Sequence, residues 1–240
     1  MKHGTAYAKR VKRVYAQVKR QSKEPRIGGP TDPLEQLVLS VLNQETSWGN
    51  AKKAFNRLLS VMVDINEVRV SSPREIADIL DPYVSHSRSC AARLCELLSA
   101  VFDAENAVSL DSLRLMGKRD AKHRLEALKG IEPYNVASVM LWSIGGHAIP
   151  VNAKLLAGLR KEELVDPDTP VAEVQSFLER HIAPAEAKRF CLIMADFPAR
   201  RRTRPPKAAS ASKKSAKRSG SKKKTGKAKT LRRKKAARGS

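Results

Sequence analysis

The sequence predicts an all-α fold, and three observations carry that expectation. From Asp32 to about Ala199, apolar residues recur at i, i+3 and i+4, the spacing that lays one apolar stripe along a helix. Three of these stretches open on an N-capping residue followed by Pro: Asp32-Pro33, Ser72-Pro73 and Thr169-Pro170. No run of alternating β-branched residues is long enough to build a sheet.

The elements follow in order. Residues 5–23 hold Tyr7, Val11, Val14, Tyr15 and Val18 at roughly helical spacing among Lys and Arg, and both a basic amphipathic helix and a frayed basic leader fit. Residues 25–33 contain three Pro and two Gly and read as a loop. Asp32 caps the next helix, with Leu34, Leu37, Val38, Val41 and Leu42 inward. A polar break at 44–50 separates it from a helix carrying Ala51, Ala54, Phe55, Leu58 and Leu59. Ser72 caps a short helix through Leu80, and 89–102 forms another with Ala91, Leu94, Leu97, Leu98 and Val101 inward. Helices at 109–116, 120–128, 135–144 and 151–159 follow, then 171–181 and 184–195.

Charge divides the chain into three parts. The net charge is +23, of which residues 1–30 supply +8 and residues 200–240 supply +19, leaving −4 for 31–199. The expected organisation is a basic leader (1–30), an all-α domain (31–199) and a Lys/Arg-rich tail (200–240). An acid-free basic run cannot collapse onto a core, so the tail is expected to be disordered, and its natural partner is a polyanion such as nucleic acid. Its composition resembles the Lys/Ala/Ser-rich tails of linker histones and some nucleoid proteins. Three cysteines (Cys90, Cys95 and Cys191) make no disulfide framework and fit a reducing compartment. No apolar run has membrane-spanning length and no signal-peptide core is present, so no membrane partner is expected. The five histidines have no metal-ligand spacing, and no metal site is expected.

Residues 128–154 are the most informative: L-K-G-I-E-P-Y-N-V-A-S-V-M-L-W-S-I-G-G-H-A-I-P-V-N-A-K. Leu125, Leu128 and Ile131 approach a tight turn in which Gly130 can take a positive φ. Pro133 suits the first turn of the following helix, where its missing N–H costs nothing. Backbone N–H groups at that helix start can bind a phosphate without reading sequence. Upstream, residues 39–53 read L-S-V-L-N-Q-E-T-S-W-G-N-A-K-K.

Together these segments resemble the endonuclease III-like superfamily of DNA glycosylases, the helix-hairpin-helix family of base-excision repair. The family pattern is L-P-G-[VI]-G-x-[KSY]-T-A, with V-D-T-H about twenty residues on. Leu128, Gly130, Ile131 and Val151 match it, and the upstream segment resembles L-S-x-Q-T-x-D-x-x-V-x-x-A. Residues 83–94 loosely resemble G-F-Y-x-x-K-A-x-x-L. The resemblance covers about residues 32–198 and implies the helix-hairpin-helix glycosylase fold with double-stranded DNA as partner. It implies that Gln44 enters the duplex and fills the gap left by an extruded base. It places Lys129, Gly130, Ile131, Glu132 and Lys154 at the DNA, with Arg200, Arg201 and Arg202 adding basic contacts. Trp48 can stack on a base or pack at a helix start, while Trp142 is expected in the core.

The chain departs from the family pattern where the chemistry is done. The position of the nucleophilic Lys of bifunctional members is Tyr134, which argues against lyase chemistry and leaves glycosylase chemistry open. The position of the Asp that stabilises developing positive charge on the sugar is Asn152, which is uncharged and no base at neutral pH. The second hairpin Gly is Glu132, whose charge is expected to weaken a phosphate site. Asp166 and Asp168 are the nearby carboxylates that could substitute for the missing one. The iron–sulfur cluster of many relatives needs four Cys at C-x₆-C-x₂-C-x₅-C, and only Cys191 falls in that region, so no cofactor is expected. The expectation is a monomeric DNA-binding protein, cytoplasmic and nucleoid-associated, or nuclear in a eukaryote. Its activity is at most that of a monofunctional N-glycosylase. The alternative is a catalytically inactive lesion-sensing or nucleoid module on the same fold.

Overall fold

The computed structural model describes residues 4–22 and 31–195. The basic tail, with Arg200, Arg201 and Arg202, lies outside the described residues. All regular structure among the described residues is helical: α1 (Gly4–Gln21), α2 (Pro33–Glu45), α3 (Trp48–Val61), α4 (Ile65–Val70), α5 (Pro73–Leu80), α6 (Ser87–Glu105), α7 (Ser112–Leu115), α8 (Lys118–Glu126), α9 (Pro133–Val139), a π-helical turn (Met140–Ile144), α10 (Ala153–Lys161), α11 (Val171–His181) and α12 (Pro184–Ala195). None of these helices is long and apolar enough to cross a membrane.

α2 is the central element. Leu34 and every residue from Gln36 to Leu42 are buried, and the helix packs against α3, α6, α9 and the π-helical turn. A helix covered on all sides must bury even its polar residues, which is how Gln36 and Ser40 come to lie inside. Asp32 caps it as expected, accepting from the Glu35 N–H at 2.9 Å. Residues 4–21 form a helix rather than a frayed leader: Val11, Val14, Tyr15 and Val18 are buried, and α1 packs against α11 and α12. The Tyr15 hydroxyl and the Lys19 ammonium both donate to Glu186, at 2.6 and 2.7 Å, which fixes α1 to α12.

Some element boundaries differ from the sequence expectation, each for a local reason. The polar break at 44–50 shrinks to Thr46 and Ser47, because Ser47 caps α3 by accepting from the Asn50 N–H. The helix expected at 109–116 is reduced to Ser112–Leu115, since the Ser109 and Asp111 side chains close a local turn ahead of it. α4 was not anticipated: its six residues are too few to display a period, and Asp64 starts it by accepting from the Glu67 N–H at 2.7 Å. Before α11 the capping position falls on Pro170 rather than Thr169.

Candidate functional site

The hairpin forms as the sequence implies. α8 ends at Glu126, the Leu128 N–H donates to the Leu125 carbonyl and the Ile131 N–H to the Leu128 carbonyl, and α9 begins at Pro133. Gly130 sits at φ 80°, a left-handed conformation that a Cβ would strain. Lys129 and Gly130 are exposed at the turn, while Ile131 packs against the core.

Directly after α9 the backbone widens into the π-helical turn, which ends at Gly145, φ 70°. Such widened turns are common at functional sites. Here it carries Trp142, which is half-buried rather than fully in the core, and stacks on Trp48 from the start of α3 at 6.4 Å and 26° between rings. The Lys188 ammonium of α12 lies 5.6 Å from the centre of the Trp142 ring.

The two indoles line a pocket of about 60 Å³ together with Gln36, Ser40 and Asn43 of α2, Tyr134 and Ser138 of α9, Pro150, Asn152 and Leu155 at the start of α10, and residues of α12. Tyr134 and Asn152, singled out separately in the sequence, therefore share one pocket. The Asn43 side-chain amide donates to the Tyr134 hydroxyl at 2.6 Å. Burial pushes the Tyr134 phenol up to about 12, and the hydrogen bonds from Asn43 and Ser138 offset this only in part. It is accordingly a neutral phenol at physiological pH and no phenolate nucleophile. Asn152 caps α10, its Oδ1 accepting from the Leu155 N–H at 2.8 Å. Asp166 and Asp168 do not line the pocket: Asp166 turns back to accept from the Asp168 N–H. Among the described residues, no Asp, Glu, Lys, Arg or His lines the pocket.

A polar network joins the hairpin to the α2 C-terminus. Glu132 accepts from the Arg93 guanidinium at 2.8 Å and from the Gln44 amide at 2.6 Å. Arg93 also reaches Glu45 at 3.0 Å, and Asn135 donates to both Gln44 and Ser40. Gln44 is thus held against the hairpin, and Glu132 faces a paired cation instead of presenting a bare charge. Lys154 lies exposed in the first turn of α10.

Gln36 and Asn43 were missed as site residues. The signal was present: Gln36, Ser40 and Asn43 stand at i, i+4 and i+7, a polar stripe along one face of a largely apolar helix.

No family model and no curated protein matches the chain. Solved structures do. An endonuclease III trapped covalently on DNA superposes with a TM-score of 0.62 at 16% identity, covering 79% of this chain and 85% of that one. A thermostable thymine-DNA glycosylase gives 0.59 at 18% identity, covering 81% and 87%. The H. pylori 3-methyladenine DNA glycosylase MagIII bound to 1,N6-ethenoadenine gives 0.60 at 16%, covering 79% and 97%. The chain has the endonuclease III-like helix-hairpin-helix fold of the DNA glycosylases.

Proposed function

We propose that this protein binds double-stranded DNA, extrudes a damaged or mismatched base into the pocket between α2, α9 and α10, and acts there at most as a slow, lyase-free N-glycosylase. The observation that carries the reading is the convergence of Tyr134, from the hairpin helix, with Asn152, from the next helix cap, in one pocket beside the hairpin. Asn152, uncharged at the position of the family's Asp, with no carboxylate among the described lining residues, supports slow chemistry, because removing one electrostatic stabiliser typically costs about 10²–10³ in rate. Gln44, one helical turn above Ser40, is the residue to fill the emptied stack, and it must leave Glu132 to do so. The hairpin around Lys129, Gly130 and Ile131, with Lys154, holds phosphates, and the basic termini add sequence-independent affinity.

The chain works without an iron–sulfur cluster. Its sequence holds three cysteines, one fewer than the usual ligand set, so the purified protein is expected to be colourless. A brown sample would contradict that. The second reading, an inactive lesion-sensing module associated with the nucleoid, is favoured specifically by Asn152. Single-turnover excision assays on duplexes carrying uracil, thymine mismatches, oxidised and alkylated bases separate the two. Slow base release without strand cleavage supports the enzyme. Lesion-selective binding with no release supports the sensor, and strand cleavage by β-elimination would overturn the lyase-free assignment.

A further inference from the structure

The pocket contains a buried side-chain amide whose oxygen no described residue engages. Gln36 is 1% exposed, on the face of α2 that lines the pocket, and its Oε1 is buried with no hydrogen-bond partner among the described residues. A buried carbonyl without a partner costs stability, and such groups are rare enough in folded proteins to call for an explanation. Ser40, one turn on, is occupied by the Leu37 carbonyl and the Asn135 amide, and Asn43 is occupied by Tyr134. Gln36 is not satisfied by its neighbours in this way. An apolar Met or Leu at this position would bury no polar atom.

We propose that Gln36 is the base-reading residue of the pocket, pairing its amide with the polar edge of an extruded, uncharged nucleobase while the indoles of Trp48 and Trp142 supply the apolar face. A primary amide offers a donor and an acceptor side by side, which matches the adjacent donor and acceptor on the edge of a base such as uracil. The described lining residues carry no formal charge, so they offer a cationic alkylated base no counter-charge. The Lys188 ammonium already occupies the neighbourhood of the Trp142 ring. About 60 Å³ holds only a few waters, so entry of a base requires a shift of an indole. Trp48 is placed for this, because it opens α3 directly after the Thr46-Ser47 break that ends α2.

This inference rests on the base-extrusion reading, and one experiment separates their failures. The protein has two tryptophans, and both line the pocket, so intrinsic fluorescence reports on its occupancy. The full-length protein is titrated with duplexes carrying a central U·G mismatch, a central N7-methylguanine, or no lesion. The expected result for the wild type is a fluorescence change and tighter binding with the U·G duplex relative to the other two. Gln36→Met, which keeps the length and removes the amide, is expected to lose roughly tenfold of that preference. It is also expected to melt at the same temperature or higher, since an unsatisfied buried oxygen is gone. Undiminished preference in Gln36→Met, a lower melting temperature, or a preference for the methylated base would each overturn the assignment. If the wild type binds all three duplexes with no lesion-dependent change in fluorescence, base extrusion itself fails, and this assignment with it.

Discussion

Asn152→Asp offers the clearest test of how the pocket is used. Asn152 sits at the N-cap of α10 and accepts from the Leu155 N–H at 2.8 Å. Asp is as good a cap as Asn, and its negative charge interacts favourably with the helix N-terminus by about 0.3–1 kcal/mol. The fold should therefore tolerate the change, with a melting temperature unchanged or raised by up to about 4 °C for a domain of this size. The substitution also places a carboxylate where none of the described lining residues carries one, beside the neutral phenol of Tyr134. Charge stabilisation and general-base assistance from such a group are worth about 10²–10⁴ in rate, which is ~2.7–5.5 kcal/mol of transition-state energy. The assay is single-turnover base release from the same lesion duplexes, with thermal melting and duplex affinity measured in parallel. Asn152→Ala is the companion variant: it loses the cap, costing about 1 kcal/mol or a few degrees of melting temperature, and gains no rate. If Asn152→Asp folds and binds DNA like the parent yet releases no base faster on any duplex, the pocket is not where glycosidic bonds would break.

Further predictions address the surroundings of the pocket. Glu132→Gln removes a negative charge at the hairpin and leaves Arg93 paired with Glu45 alone; duplex affinity should rise by up to roughly fivefold at low salt, an effect of about 1 kcal/mol or less that fades with added salt, as fluorescence anisotropy would record. A fall in affinity would mean that the Glu132–Gln44 bond helps to present the hairpin. The Tyr134 phenol, raised to about 12, contributes stability that is fully present below pH 10, the ordinary tyrosine value, and is lost as pH rises through 12. Tyr134→Phe should accordingly melt with less alkaline sensitivity between pH 10 and 12 than the parent, and an unchanged profile would show that the phenol is not held by burial. Deleting residues 200–240 removes nineteen Lys and Arg and should sharply lower both duplex affinity and its salt slope; unchanged binding would take the tail out of the mechanism.

The parts of this molecule that were legible in the sequence are those governed by local rules. The apolar period of α2, the Asp32 and Ser72 caps, the positive φ of Gly130 and Pro133 at the start of α9 each depend on a few neighbouring residues. Tyr134 and Asn152 were found by spacing against a known pattern, and the pocket they share confirms only that they meet. What escaped was set by packing between distant segments. Trp142 read as core, yet the π-helical turn and its contact with Trp48 leave it half-buried at the pocket. Glu132 read as a bare charge, since nothing in its vicinity along the chain announces Arg93, thirty-nine residues away, as its partner. Gln36 sat among apolar residues and was passed over, although its i, i+4, i+7 relation to Ser40 and Asn43 was readable.

The central claim is that DNA bound at the hairpin delivers a base to the pocket between α2, α9 and α10. A crystal structure of the full chain bound to a duplex with a central U·G mismatch tests it directly. The account predicts the uracil outside the helical stack, its edge against Gln36 and its sugar beside Tyr134 and Asn152, with Gln44 released from Glu132 and filling the gap. A bound duplex with every base stacked, and Gln44 still hydrogen-bonded to Glu132, would contradict it.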